Sequence, residues 1–181
     1  MEQSFIKIFL KDKNVGALFP TSQAVIKRIC SKIDFNQLDT LVEYGPGNGV
    51  ITVELLKRMK PTARLFAIET NEDFLHELHG IHDQRLHVIG GSAADTMALL
   101  KPYGVTSADC VLSGIPFTFL KPALRNEIIF QTKELIRPGG KCLLYQHSPL
   151  MKKYLKTHFG NAKVSFELRS IPTMFVLESV K

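Results

Sequence analysis

The stretch Thr40-Leu41-Val42-Glu43-Tyr44-Gly45-Pro46-Gly47-Asn48-Gly49 decides how this chain is read. Thr40 to Tyr44 has strand character and stops at Gly45. From Asn48 to Lys60 the pattern is helical, with Val50, Ile51, Val53 and Leu55 facing inward and Pro61 ending the run. Glycines in the connecting turn allow positive φ and let a ligand approach the main chain closely. The free N–H groups of a helix starting there suit a carboxylate or phosphate. The spacing is G-x-G-x-G, one residue tighter than the G-x-G-x-x-G of dinucleotide sites. Glu43 stands two residues before the first glycine. A carboxylate there repels a pyrophosphate and suits a cationic group such as the α-ammonium of an amino-acid moiety.

Outward from this turn, short apolar runs alternate with helices. Arg64 to Glu69 is a second strand, and Glu69, 20 residues after Gly49, ends it. A carboxylate at that place accepts hydrogen bonds from both hydroxyls of a ribose. Glu72 to His79 is a helix closed by Gly80, and Arg85 to Ile89 is a third strand. It ends in Gly90-Gly91-Ser92-Ala93, where an adenine edge would meet backbone N–H groups and a hydroxyl. A short helix over Ala93 to Leu100 and a strand over Ala108 to Leu112 follow. Pro122 to Ile136 is the clearest helix, opened by Pro and closed before Pro138-Gly139-Gly140. Lys141 to His147 is the fifth strand, and Pro149 to His158 is a basic helix ended by Gly160. Ala162 to Arg169 and Thr173 to Val180 form a strand pair around Ile171-Pro172.

Strands separated by helices imply right-handed crossovers and a parallel sheet covered on both faces. The closing pair has no helix between its strands and is expected to be antiparallel. The fold class is therefore α/β, a Rossmann-like three-layer sandwich.

The 181 residues fit one domain, with 1–34 expected to act as an N-terminal helical lid or membrane-contact segment. With 45% hydrophobic and 22% charged residues the composition is that of a globular chain. Cys30, Cys110 and Cys142 are odd in number and lie in apolar stretches, which points to buried, reduced thiols rather than a disulfide framework. There is no apolar run of about 18 residues and no signal-peptide pattern, so the expected location is cytoplasmic. A formal charge of +6 and a pI of about 9.3 favour anionic partners without choosing among them.

Taken together, E-x-G-x-G-x-G, the acid ending the second strand and the terminal strand pair resemble the class I S-adenosylmethionine-dependent methyltransferases. The resemblance implies a mostly parallel seven-stranded sheet with an antiparallel last strand, and S-adenosylmethionine as cofactor. Val15-Gly16-Ala17-Leu18-Phe19-Pro20-Thr21-Ser22 before a helix at Gln23 to Lys32, Ser113-Gly114-Ile115-Pro116-Phe117 after the fourth strand, and Arg169-Ser170-Ile171-Pro172 narrow it. These segments resemble the bacterial phospholipid N-methyltransferases, which act on the amine of phosphatidylethanolamine. The resemblance implies cofactor contacts from Thr21, Ser22, Glu43, Gly45, Gly47, Gly49, Glu69, Thr70, Ser92 and Ala93, with Ser113, Gly114 and Pro116 at the reaction centre. Ribosomal RNA adenine dimethyltransferases are relatives of the same group. They carry an Asn or Asp after the fourth strand, where this chain has Ser113-Gly114, and a helical C-terminal extension that is not expected here.

Methyl transfer requires position, desolvation and a deprotonated amine. Carbonyls around Ser113-Gly114 are expected to hold the amine, and Phe117 to form an apolar or cation–π wall. Tyr145 and His147 are expected nearby, His147 being the candidate proton acceptor on pKa grounds, with a merely structural or exposed histidine as the alternative. Ser4 to Lys13 forms an apolar arc opposite Lys7 and Lys11, which suits either an anionic membrane interface or packing over the cofactor site. Lys152, Lys153 and Lys156 form a second basic face. His76, His79 and His82 lack the acid or cysteine that would complete a metal site, so no metal is expected. The functional expectation is N-methylation of a phospholipid amine by a protein in peripheral, reversible contact with the inner face of the membrane. The alternatives are N6-methylation of RNA adenine, methylation of a small amine, and a non-catalytic cofactor-binding module.

Overall fold

The computed structural model describes residues 22–168 and 173–181. The expectations for Ser4 to Lys13, for Val15 to Thr21 and for Arg169 to Pro172 lie outside the described residues.

Seven strands form one sheet: β1 Thr40–Tyr44, β2 Arg64–Glu69, β3 Leu86–Gly90, β4 Ala108–Ser113, β5 Ile136–Gln146, β6 Lys163–Glu167 and β7 Met174–Val180. Their order is β3-β2-β1-β4-β5-β7-β6. The first five pair in parallel, while β7 runs antiparallel to both β5 and β6. The expected three-layer sandwich with a C-terminal antiparallel pair is thus the observed one. Its sequence order reverses direction between β1 and β4, and at such a switch point the strand ends leave a crevice for a ligand.

The helices are α1 Gln23–Cys30, α2 Val50–Leu56, α3 Glu72–His79, α4 Thr96–Leu100, α5 Pro122–Leu135 and α6 Lys152–Phe159, with short 3₁₀ turns between them. Side chains alternate across each strand and feed two separate cores. Val42, Tyr44, Phe66, Ile68, Val111 and Leu144 pack with α5 and α6 on one face. Leu41, Leu65, Cys110, Leu112 and Leu143 pack with α1 and α2 on the other. Cys30, Cys110 and Cys142 are buried and free.

Two boundaries differ most from expectation, each for a local reason. The expected helix over Asn48 to Lys60 occupies only Val50–Leu56, because Gly49 caps it in the left-handed region (φ 79°) and the chain tightens after Leu56. There Arg58 N–H bonds back three residues to the Leu55 carbonyl. The fifth strand begins at Ile136, not Lys141, because Pro138-Gly139-Gly140 is an irregularity inside the strand rather than a break. Ile136 already pairs with Ala108, the register shifts before Cys110 pairs with Lys141, and Gly139 adopts φ 78°. Gly139 N–H and Gly140 C=O are then tied to the backbone of Lys181.

Candidate active site

At the carboxyl edge of β1, β2, β3 and β4 lies a cavity of about 270 Å³. Gly45 and Gly47 follow β1, Glu69 and Thr70 close β2, Gly91, Ser92 and Ala93 follow β3, and Gly114, Ile115 and Pro116 follow β4. The outer wall is apolar and comes from Phe119, Leu120, Leu124 and Ile128.

The glycine turn is held open by its own backbone. Gly45 and Gly47 adopt φ of 62° and 58°, the region that L side chains rarely enter. A Cβ at Gly47 would meet nothing within 4 Å, so its face of the cavity is bare main chain. Gly45 N–H bonds to the Ile68 carbonyl and thereby joins the turn to β2. Gly49 faces inward instead, where a Cβ would stand 2.8 Å from Ile81 Cδ1.

Two carboxylates flank this turn in different states. Glu69 accepts hydrogen bonds from Gly47 N–H (3.2 Å), Thr70 N–H (2.7 Å) and Asn71 N–H (3.0 Å). It fixes the turn while remaining part of the cavity wall. Glu43 is fully buried beneath the turn. Its Oε2 accepts the Thr52 hydroxyl at 2.7 Å, and its Oε1 has no hydrogen-bond partner among the described residues. Burial pushes its carboxyl up to about 7, opposed by the Thr52 hydrogen bond and reinforced by the Glu69 charge. A buried, half-satisfied carboxyl is costly on its own. A cationic ligand group at Oε1 relieves that cost. With a diol at Glu69 and a flat heterocycle beside Ser92 and Ala93, the crevice suits an adenosine bearing a cationic amino-acid arm.

The expected residues divide into three groups. Gly45, Gly47, Glu69, Thr70, Ser92, Ala93, Gly114 and Pro116 all line the cavity. Glu43, Gly49 and Ser113 lie directly behind it: Ser113 is buried and its Oγ accepts the Ile115 N–H at 3.2 Å, shaping the loop after β4. Ser22, Phe117 and His147 lie elsewhere, and Thr21 is outside the described residues. Ser22 caps α1 by accepting the Val25 N–H at 3.3 Å. Phe117 is fully buried in the core, and the aromatic groups at the cavity are Phe74 and Phe119, the latter 53% exposed. A single 3₁₀ turn over Phe117–Phe119 separates the two rings. His147 is exposed, its Nδ1 3.2 Å from the Thr173 carbonyl oxygen, and does not line the cavity. The apolar wall was invisible in the sequence because Leu124 and Ile128 read as ordinary core positions of α5. Among the described residues no three His, Cys, Asp or Glu side chains converge as a metal site would require.

Comparisons with known proteins return methyltransferases by family profile, by sequence and by fold. The family profile described as ribosomal RNA adenine dimethylase matches residues 8–172. An ornithine lipid N-methyltransferase of Singulisphaera acidiphila is 25% identical over 169 residues, which is 92% of this chain and 88% of that protein. A ribosomal RNA small subunit methyltransferase A of Dehalococcoides mccartyi is 38% identical over 140 residues, covering 69% of this chain. The chain spans 46% of that protein's length in this match. Among solved structures, a Bacillus cereus O-methyltransferase in complex with SAH superposes with a TM-score of 0.71 at 13% identity, over 99% of this chain and 90% of that one. A precorrin-6y C5,15-methyltransferase of Geobacter metallireducens gives 0.68 at 17% identity, over 90% and 92%.

Proposed function

The chain belongs to the ribosomal RNA adenine dimethylase family and is an S-adenosylmethionine-dependent methyltransferase, and from that premise we propose that it methylates the amine head group of a membrane lipid such as phosphatidylethanolamine. The observation that carries this reading is Gly114. The loop after β4 brings a bare backbone to the cavity, with no side-chain amide. The amino nitrogen of adenine is conjugated with its ring, and its lone pair becomes available only when strong acceptors draw it out of the plane. An aliphatic amine has its lone pair as soon as it is deprotonated, so desolvation and one acceptor suffice. One match that extends over most of both chains is to a protein named for an ornithine lipid. The apolar wall around Phe119 and the exposed lysines of α6, Lys152, Lys153 and Lys156, suit a ligand presented at an anionic surface. Among the described residues no helix is long and apolar enough to cross a membrane, so in this reading contact with the lipid is peripheral.

When bound, S-adenosylmethionine supplies an electrophilic methyl group on a positively charged sulfur. Glu43 would meet the α-ammonium and Glu69 the ribose hydroxyls, while Gly45 and Gly47 would give the amino-acid arm room against the main chain. Thr70, Ser92 and Ala93 would border the adenosine, and Gly114 to Pro116 would hold the acceptor amine beside it. Gly47→Asn tests the occupancy of the bare face, since asparagine tolerates positive φ better than most residues. Filling that space costs about 1–3 kcal/mol, so S-adenosylhomocysteine is expected to bind about 5- to 150-fold more weakly by calorimetry. Unchanged affinity would remove Gly47 from the site.

The acceptor is tested by offering radiolabelled S-adenosylmethionine with four substrates in parallel. These are phosphatidylethanolamine vesicles, ornithine-lipid vesicles, ribosomal RNA and free small amines. Label is expected in the lipid phase. Label confined to RNA, the acceptor class named by the family profile, would overturn the lipid reading.

A further inference from the structure

The loop after β4 and the end of β5 meet in a way that the sequence motifs do not describe. Ser113 pairs with Leu144 in the parallel ladder, so Gly114 and Tyr145, one residue further along each strand, stand side by side. A Cβ built on Gly114 would overlap the Tyr145 hydroxyl, would stand 2.6 Å from Tyr145 Cζ, and would stand 3.1 Å from the Gly45 carbonyl oxygen. The tyrosine thus fills the volume that any side chain at position 114 would need. Gly114 and Gly45 both line the cavity; Tyr145 is not itself in that lining, and its hydroxyl stands beside these two glycines at the junction of the cofactor turn and the loop after β4.

Three further features mark the hydroxyl as more than a packing element. Among the described residues it takes part in no hydrogen bond, although tyrosine hydroxyls away from bulk solvent ordinarily find a partner. It is not sealed away either, since Tyr145 is only partly buried. Burial, and next the negative fields of Glu43 and Glu69, hold the phenol well above its usual range, so it remains a neutral O–H with two lone pairs.

We propose that the Tyr145 hydroxyl, standing where a side chain at position 114 would otherwise stand, accepts a hydrogen bond from the amine being methylated and is a catalytic residue of this enzyme. The proposal rests on the reading that the acceptor atom is an amine nitrogen, and it holds whether that amine belongs to a lipid, an RNA base or a small molecule. Tyr145 accepts one N–H and leaves the nitrogen lone pair free for the methyl group. It does not remove the proton, because a phenol in this environment stays protonated. Gly114 is then obligatory, because a side chain there would displace the acceptor oxygen.

The test uses the full chain with whichever acceptor takes label from the wild type. Tyr145→Phe keeps the ring and removes the oxygen. It is expected to lower kcat about 10- to 100-fold, the effect of losing one strong hydrogen bond in the transition state. Affinity for S-adenosylhomocysteine should stay within about twofold and the thermal midpoint within a few degrees. Gly114→Asn alone should lose activity through collision with the phenol. Gly114→Asn combined with Tyr145→Ala should regain at least about tenfold over Tyr145→Ala, because the amide restores an acceptor in the vacated space. Tyr145→Phe with wild-type kcat would overturn the proposal while leaving the lipid reading intact. Label in RNA with the same loss in Tyr145→Phe would overturn the lipid reading while upholding the role of Tyr145. No label in any amine from the wild type would overturn both.

Discussion

Glu43→Gln should bind S-adenosylhomocysteine about 100-fold more weakly than wild type, the penalty of deleting one partner of a buried charge pair. At the same time the unliganded variant should be more stable than wild type above neutral pH. The sign follows from burial. The carboxyl is raised from 4.5 to about 7 in the folded chain, so the folded state holds its proton more tightly than the unfolded state does. Stability contributed by this group is therefore intact below about pH 4.5 and declines as pH rises towards 7. Above 7 the ionised carboxylate is fully desolvated in the fold, at a cost of roughly 3 kcal/mol. Glutamine keeps an acceptor for the Thr52 hydroxyl and has no charge to desolvate, so its stability should lack this slope. The same proton links to binding. Below pH 7 a ligand ammonium must expel it, so affinity should fall by about tenfold per pH unit towards pH 5. Calorimetry at pH 6 in buffers of different ionisation enthalpy would register the released proton. Affinity that is flat with pH, together with normal binding by Glu43→Gln, would show that no cation meets this carboxylate.

Glu69→Ala should damage fold and site together. Its carboxylate accepts three backbone N–H groups, from Gly47, Thr70 and Asn71. Water can reach Thr70, but Asn71 is buried, and Gly47 belongs to the strained turn. Leaving such donors unpaired costs about 1–3 kcal/mol each where solvent cannot substitute. We expect a net loss of about 3 kcal/mol, seen as a fall of roughly 6–12 °C in thermal midpoint. Cofactor binding should be lost from the calorimetric range, since both the ribose acceptor and the turn geometry go. Glu69→Gln separates the two effects. It keeps one acceptor oxygen for the backbone, so it should retain most of the stability yet bind S-adenosylhomocysteine at least about tenfold more weakly, the loss of one charged acceptor. An alanine variant with wild-type stability would show that the turn does not depend on this carboxylate.

Much of the architecture was legible because its signals are local. Glycines at 45, 47 and 49 mark a turn at positive φ, and the apolar runs Leu41–Val42 and Leu65–Ala67 mark strands buried on both faces. The acids at strand ends stand out because a carboxylate next to such a run needs a partner. Where the reading failed, the missing information was spatial. Pro138-Gly139-Gly140 looks like a terminator, yet Ala108 on one side and Lys181 on the other hold it within β5. Phe117 and Phe119 are equivalent as letters, and only the 3₁₀ turn sends one into the core and leaves the other at the cavity. His147 has the right chemistry for a base, but the turn beyond β5 leaves it exposed beside the Thr173 carbonyl.

Periodicity and turn chemistry in the sequence alone determined the strand and helix order, the parallel sheet with its antiparallel close, and the two carboxylates that bracket the glycine turn. These depend on interactions within a few residues, or on residue types that admit one environment. Only the tertiary structure decided which apolar side chains wall the cavity, that Glu43 has one oxygen with no partner among the described residues, and that the Tyr145 phenol occupies the side-chain volume of Gly114. Those facts follow from the register between strands far apart in the chain, which is set by the packing of both sheet faces at once and is written in no single stretch of residues.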